Sequence, residues 1–544
     1  MNQSRTSAAR LVAWYRLHRG WLGYLGIFSL AFLLFAYSQY QPIFADPDSF
    51  YHAKAAVLLR DGRFTTTFAA LPFTTLAHSY ADQHFLYHLL LVPFVSVIDP
   101  LIGLKLATVV LGSLMALIFY WFLRRWNVRW AFVTTILLLL VNPFMFRMNL
   151  AKASSLSIAL LLIGLATAFS YRPKLLAVIA FAYVWFYGGF SLLLLSVLVF
   201  AVISALHRRY LRREDGNTFL QRVRALLGRA FRHGRVRQLN FQLAAAAVIG
   251  TIVGLIVNPF FPSNIRFYFD QAVRIGLVNY QKAIGVGGEW YPYKFIELVA
   301  NTVIVAIPLV VALVLFILYF RKQSSRSMTL FVLWLFFFVL TLKSRRYIEY
   351  EVPFGLLFSA FSLNDSLQGF HWRQFWRETR QKYFRRWAGV AGAAAIATYA
   401  AILLPTVVIR DFISQRHDLA NGFRLGLFEQ ESRWIVDHGN PGAVVFHSDW
   451  DEFPILYYYN SSSRYIAGLD PTFLYLENKD RYWQWANVTM GRETGDVYQI
   501  VRGTFNADFV LVERDHTAMD SLIKNDERFT LAFDGPDAKI YTVQ

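Results

Sequence analysis

The chain contains no cysteine, which rules out disulfides, thiol nucleophiles and thiolate metal sites together. It is also poor in charge. Only 16% of residues are Asp, Glu, Lys or Arg, against about 25% in an ordinary soluble domain. No 20–50-residue repeat and no low-complexity tract is present, which argues against a solenoid or a disordered linker protein.

Long apolar runs fill the space that charge leaves. Runs at 21–37, 101–123, 130–146, 154–171, 241–259, 298–320 and 388–408 approach or reach the roughly 17–25 residues that cross about 30 Å of hydrocarbon. Shorter or interrupted runs lie at 175–188, 189–206, 328–342 and 352–363. The expectation is a polytopic α-helical membrane protein with about eleven spans, and about thirteen as an upper count. The first run is too long for a signal-peptide core and lacks a small-x-small cleavage site, so it reads as a retained span with a cytoplasmic N-terminus.

The net charge of +19 is unevenly spread. Residues 410–544 hold 13 Lys and Arg against 21 Asp and Glu, so the basic excess lies entirely in residues 1–409. It sits in short loops at 124–129, 172–174, 321–326 and 371–386, and in the loop 207–240, which carries ten arginines. Basic residues on alternate loops mark the cytoplasmic side next to anionic lipid, which accounts for the charge without nucleic acid. The outer segments are then 41–100, the hairpin around 147–154, a short turn at 187–189, 261–297, 343–350 and everything after 408. The segment 85–97 is apolar but too short to cross, and reads as an interfacial helix.

The tail differs in kind. GAVVFHSDW, SRYIAGLD, DFVLVERD, FTLAFD and KIYTV read as short strands, with helical segments at 428–438 and 517–524 between them. The expected organisation is a membrane domain over 1–409 and an extracytoplasmic mixed α/β domain over 410–544.

Several outer residues are chemically conspicuous. FADPDSFYHAKAAVLLRDGRF sets Asp46, Asp48 and His52 just beyond the first run. A carboxylate at a bilayer boundary is costly unless hydrated or paired. It can serve as a general base or hold a divalent cation. The plainer reading is that Asp46-Pro47 starts a turn and Asp48 caps the next helix. DQHFLYH adds Asp82, and sets His84 and His88 at helical i, i+4 spacing, either as ligands or as a polar rim. Arg147 and Lys152 in NPFMFRMNLAKASS, and Arg345 and Arg346 in LKSRRYIEYE, run against the positive-inside trend. An anionic ligand accounts for them, since an arginine fork grips two phosphate oxygens; pairing with Glu349, Glu351 or lipid headgroups is the alternative. Finally, GVGGEWYPY puts Glu289 on a glycine-rich loop that could close over a substrate.

Together these stretches resemble the GT-C superfamily of membrane glycosyltransferases, and within it the catalytic subunit of oligosaccharyltransferases in a bacterial form. That family carries D-P-Y-F-N-Y-R after its first span; here D-P-D-S-F-Y-H shares Asp46, Pro47 and Tyr51. SDWDEFPILYYYN is similar to its Trp-Trp-Asp-Tyr region, with Trp450 and Asp451 in the matching places, and GLDPTFLY to a stretch of bacterial relatives. The likeness follows the family's order of parts along most of the chain.

The resemblance implies a polyprenyl phosphate or pyrophosphate sugar donor and a glycan, lipid or protein acceptor. It implies inverting transfer on the outer face of a bacterial inner membrane. Asp46, with Asp48, would be catalytic, and Arg147, Lys152, Arg345 and Arg346 would meet the donor phosphate. Asp82, His84, Glu289, Trp450 and Asp451 would lie on the acceptor or loop side. Asp46 and Glu289 would hold any Mg2+ or Mn2+. Two departures stand out. Where the family has D-x-D after the hairpin arginine, this chain has A-K-A-S-S-L-S, and Asp449 stands in place of the first tryptophan. Both favour a metal-independent enzyme acting on lipids or glycans over sequon-directed N-glycosylation. A lipid-linked glycan transporter or flippase and a non-catalytic envelope assembly protein remain the alternatives.

Overall fold

Two of the long apolar runs are broken, the first of them at a proline. In the computed structural model, which describes residues 2–210, 235–368 and 387–544, the run at 130–146 is not one rod. It forms helix Ala131–Leu139 and a short helix Asn142–Asn149 bent away by 72°. Pro143, in the first turn of the second helix, is favoured there but cannot donate back into the first. The run at 298–320 is likewise divided, with Phe295–Asn301 and Val303–Leu318 meeting at 95°. Five described helices are long and apolar enough to cross a membrane, or seven if each bent pair counts as one span. The chain is a multi-pass integral membrane protein. The basic loops at 207–240 and 371–386 fall largely outside the described residues.

The longest of these helices, Pro100–Arg125, shows local start signals at work. Asp99 accepts the backbone N–H groups of Leu101 and Ile102 at 3.0 and 3.2 Å, with Pro100 at the first helical position. Such a cap supplies acceptors for donors that the helix cannot satisfy itself. The apolar segment 85–97 forms helix Phe85–Val97, which packs on Asp48–Arg60.

After helix Trp387–Ala420 the chain enters a sheet-bearing region. Strand β1 (Ile43–Phe44), at the exit of the first helix, pairs antiparallel with β2 (Phe423–Arg424). A side chain at Gly422 would collide with the Phe44 carbonyl, so only glycine permits this approach. Lys105 fixes the same spot from the helical side, donating to the Ile43 carbonyl at 2.6 Å. The residues just before Asp46 are thus held from two directions.

The five strand-like runs of the tail become β3 (Val444–His447), β4 (Arg464–Tyr465), β5 (Phe509–Glu513), β6 (Phe529–Asp534) and β7 (Ala538–Val543). They form one sheet in the order β4-β3-β5-β7-β6, parallel through β4, β3 and β5 and antiparallel at β7 and β6. The near-continuous apolar runs VVF and FVLV follow from burial of both faces. Val445, Leu511 and Ile540 join the core shared with the membrane helices, whereas Val444, Phe446, Val510 and Val512 join a second core under the tail's own helices. Helices Glu429–His438 and Thr517–Lys524 lie where the sequence suggests them.

Candidate functional site

Asp46 and Asp48 stand at the start of helix Asp48–Arg60. The capping expectation is inverted. Asp48 is the first helical residue, and it is Asp46 Oδ1 that accepts the Asp48 N–H at 2.9 Å. The second oxygen of each carboxylate meets a cation from a distant hairpin: Lys152 Nζ lies 2.8 Å from Asp46 Oδ2 and 2.8 Å from Asp48 Oδ2. Burial pushes the Asp48 carboxyl up to about 6, against the pull of Lys152. Burial works against the Lys152 ammonium too, but Asp46 and Asp48 outweigh it and raise its pKa above the ordinary lysine value.

The bend at Pro143 swings Arg147 into the same region. Its Nε and Nη2 donate to Glu349 Oε2 at 3.2 and 3.1 Å, and its Nη1 pairs with Glu289. Glu289 is shared: its other oxygen takes Arg346 at 2.7 Å. Arg346 also donates to the Tyr187 hydroxyl at 3.2 Å and lies over the Trp290 ring. Burial opposes ionisation of Glu289, yet Arg147, Arg346 and Lys152 hold its carboxyl far below the usual range. The glycine-rich loop is tied down through its backbone, with Ser344 Oγ donating to the Glu289 carbonyl at 2.9 Å and the Arg345 N–H to that of Tyr291 at 2.9 Å. The Arg345 side chain turns towards the rim, 3.7 Å from Glu297.

His84 and His88 keep the i, i+4 relation suggested by DQHFLYH, the His88 N–H bonding the His84 carbonyl at 2.8 Å, and His52 joins them. His84 precedes helix Phe85–Val97 and His88 lies within it. His88 links Asp82 at 2.6 Å on one side and His52 at 2.7 Å on the other. Asp82 is committed to this chain, since its other oxygen accepts the His84 N–H at 2.9 Å. Burial pushes His52 well below its ordinary value and His84 down to about 3, so both rings are neutral. The candidate ligand atoms of His52, His84 and His88 lie within 4.8 Å of one another.

All the proposed site residues border one cavity of about 870 Å³: Asp46, Asp48, Asp82, His84, Arg147, Lys152, Glu289, Arg345, Arg346, Trp450 and Asp451. Carboxylates, guanidinium groups and aromatic surface meet there where the apolar helices end. Tyr187, Trp290 and Asp470 are among the lining residues to which the sequence assigned no site role. Asp470 lies within GLDPTFLY and its carboxyl is raised by burial to about 6; its place directly before Pro471 was the available signal.

A separate acidic cluster lies in the tail, where Glu452, Glu513 and His516 bring ligand-type atoms within 4.8 Å of one another. Burial raises the Glu452 and Glu513 carboxyls to about 8 each, and the carboxylates around them add to the shift. The folded chain therefore binds protons that the unfolded chain has released. That stabilisation is complete below the unfolded value of about 4.3 and is lost as pH rises through the folded value. Thermal unfolding of the purified protein should move to lower temperature between pH 5 and pH 9. Glu452→Gln should flatten that slope, and an unchanged slope would contradict the assignment.

No protein-family model and no curated protein sequence matches the chain. Solved structures do. It superposes on the oligosaccharyltransferase AglB from Archaeoglobus fulgidus, in complex with an inhibitory peptide and a dolichol-phosphate, with TM-score 0.63 and 14% identity, covering 98% of this chain and 75% of that one. An oligosaccharyltransferase structure from the same organism, in complex with Zn and sulfate, aligns with TM-score 0.55 and 14% identity over 95% of this chain and 73% of that one. ArnT from Cupriavidus metallidurans, bound to undecaprenyl phosphate, aligns with TM-score 0.54 and 14% identity over 96% of this chain and 98% of that one. These are GT-C superfamily glycosyltransferases, and the chain has their fold.

Proposed function

We propose that the chain is a membrane glycosyltransferase that moves a sugar or oligosaccharide from a polyprenyl phosphate or pyrophosphate donor to an acceptor at the outer face. The observation that carries this reading is the meeting of Asp46 and Asp48 with Arg147, Lys152 and Arg346 around one cavity. The neighbours bound to dolichol-phosphate and undecaprenyl phosphate support the choice of donor. In this reading residues 1–409 form the membrane domain of about eleven spans, and residues 410–544 an extracytoplasmic domain on a bacterial inner membrane.

The chemistry follows from the charges. The acceptor heteroatom attacks the anomeric carbon and forms the new glycosidic bond. The bond from that carbon to the phosphate oxygen breaks on the opposite face, and its electron pair leaves with the phosphate. Asp48, whose carboxyl is raised to about 6, takes the acceptor proton, since a base titrating near the working pH is the effective one. Asp46 orients the pair. Arg147, Lys152 and Arg346 face the charge that grows on the departing phosphate, and fixed groups of this kind usually contribute most to catalysis. Displacement from the opposite face inverts the anomeric centre.

The test is transfer of a radiolabelled sugar from a synthetic polyprenyl-phosphate donor by purified protein in detergent. Transfer is the expected result. Movement of donor across proteoliposomes without transfer would favour a transporter, and neither activity would favour an assembly protein. Arg346→Ala should raise the KM for donor about 10–100-fold with a smaller change in kcat, the loss expected for a charge-assisted contact of roughly 1.5–3 kcal/mol. A change confined to acceptor KM would contradict the role given to Arg346.

A further inference from the structure

Among the carboxylates that line the cavity, Asp46, Asp48 and Glu289 are the ones in contact with Lys152, Arg147 and Arg346, and every one of their oxygens except Asp48 Oδ1 is engaged. Asp46 gives one oxygen to the Asp48 N–H at 2.9 Å and the other to Lys152 at 2.8 Å. Asp48 gives one to Lys152, also at 2.8 Å. Glu289 gives one to Arg147 and one to Arg346. A metal ion at the Asp46–Asp48 pair would have to displace a buried ammonium or lie directly beside it. Hard divalent cations need six or more oxygen ligands, mostly anionic or water, and a neighbouring positive charge repels them. The donor set therefore does not fit a divalent ion.

Lys152 does not reach the pair by chance. It lies in the turn between helices Asn142–Asn149 and Ser154–Phe169, where its N–H bonds the Leu150 carbonyl at 2.7 Å. The same bend that delivers Arg147 delivers the ammonium. An ammonium has three N–H donors. Two are spent on Asp46 and Asp48, and the third can meet an oxygen of an incoming phosphate.

We propose that Lys152 is the built-in cation of this site, standing between Asp46 and Asp48 where a divalent ion would otherwise sit, so that transfer proceeds without a divalent metal at that pair. Its ammonium orders the two carboxylates and offers its remaining proton to the leaving phosphate. The lysine is thereby a metal surrogate that cannot dissociate. The inference rests on the transfer reading for its role in catalysis, but not for its claim about the ion.

Two measurements on the full-length protein test it separately. The first is Mn2+ binding, followed by electron paramagnetic resonance on the wild type, Asp46→Asn and Lys152→Asp. Histidine-bound Mn2+, if any, is common to all three and cancels. The wild type and Asp46→Asn should bind equally, and Lys152→Asp, which sets a third carboxylate beside the pair, should bind an additional ion. Loss of a bound Mn2+ on going from wild type to Asp46→Asn would overturn the proposal, and that comparison holds even if Lys152→Asp fails to fold. The second is sugar transfer after exhaustive chelation. Wild-type transfer should be unchanged, and Lys152→Gln should fall about 100-fold, the cost typical of one lost electrostatic contact. Inactivation of the wild type by chelator, reversed by Mg2+ or Mn2+, would overturn it. If the wild type transfers nothing under any condition, the transfer reading fails, and Mn2+ binding still decides whether Lys152 excludes the ion.

Discussion

Asp46→Asn is expected to lower sugar transfer by about 10²–10³-fold while leaving the fold intact, a loss of the size seen when one preorganised polar group is removed from a catalytic site. The asparagine carbonyl can still accept the Asp48 N–H that Asp46 Oδ1 now takes at 2.9 Å, so the start of the helix keeps its cap. What disappears is the negative charge 2.8 Å from Lys152. With only Asp48 left to hold it, the ammonium is free to leave the pair, and the carboxylate that would take the acceptor proton loses its alignment. Asp48→Asn should be similarly inactive, and the pH profile links the two. Because burial pushes the Asp48 carboxyl up to about 6, its basic form is present above that value and is protonated away below it. Transfer should therefore decline as pH falls through about 6, and a slow residual rate in Asp48→Asn should lack that limb. Full activity in Asp46→Asn, with expression and unfolding temperature unchanged, would end the catalytic assignment.

Arg147→Met is expected to destabilise the protein by about 3–5 kcal/mol, the usual cost of breaking a buried ion pair from one side. Glu349 is almost fully enclosed, and both of its bonds from Arg147 go to the same oxygen. Without the guanidinium it becomes a buried carboxylate stripped of its ion-pair partner, in a place where water cannot compensate. Glu289 loses one of its two partners as well. The double variant Arg147→Met, Glu349→Gln separates structure from chemistry. It should regain most of the stability, since the stranded charge is gone, yet remain deficient in transfer because the phosphate has lost a cation. Unfolding temperature in detergent and single-turnover transfer give the two readouts. Recovery of transfer in the double variant would assign Arg147 to folding alone.

Both predictions depend on pairings that link stretches far apart in the chain, and it is these that the sequence left open. GT-C-like architecture was legible because its signals are local. Apolar runs of membrane length, basic residues on alternate loops and five short strand runs each report on a few neighbouring residues. Helix Phe85–Val97 could be located to the residue because an apolar segment of its length has few other uses at a membrane surface. The charged residues could be picked out as well, since Arg147 and Arg346 defied the loop-charge trend.

Of the partners of those residues the sequence offered only Glu349 for Arg147, as the alternative to an anionic ligand. Lys152 looked like a contact for an anionic ligand alone; in the fold it is the ion that joins Asp46 to Asp48. Glu289 looked like a loop carboxylate awaiting a metal; it bridges two arginines. His84 and His88 fitted one helix face, while His88 in fact bonds His52 from another helix.

From the sequence alone came the apolar helices and the short strands, because burial of apolar side chains dominates the free energy and leaves its period in the order of residues. Only the tertiary structure decided which charge answers which. A pairing depends on angles such as the 72° bend before Arg147, and those angles arise from packing between helices that no local pattern records.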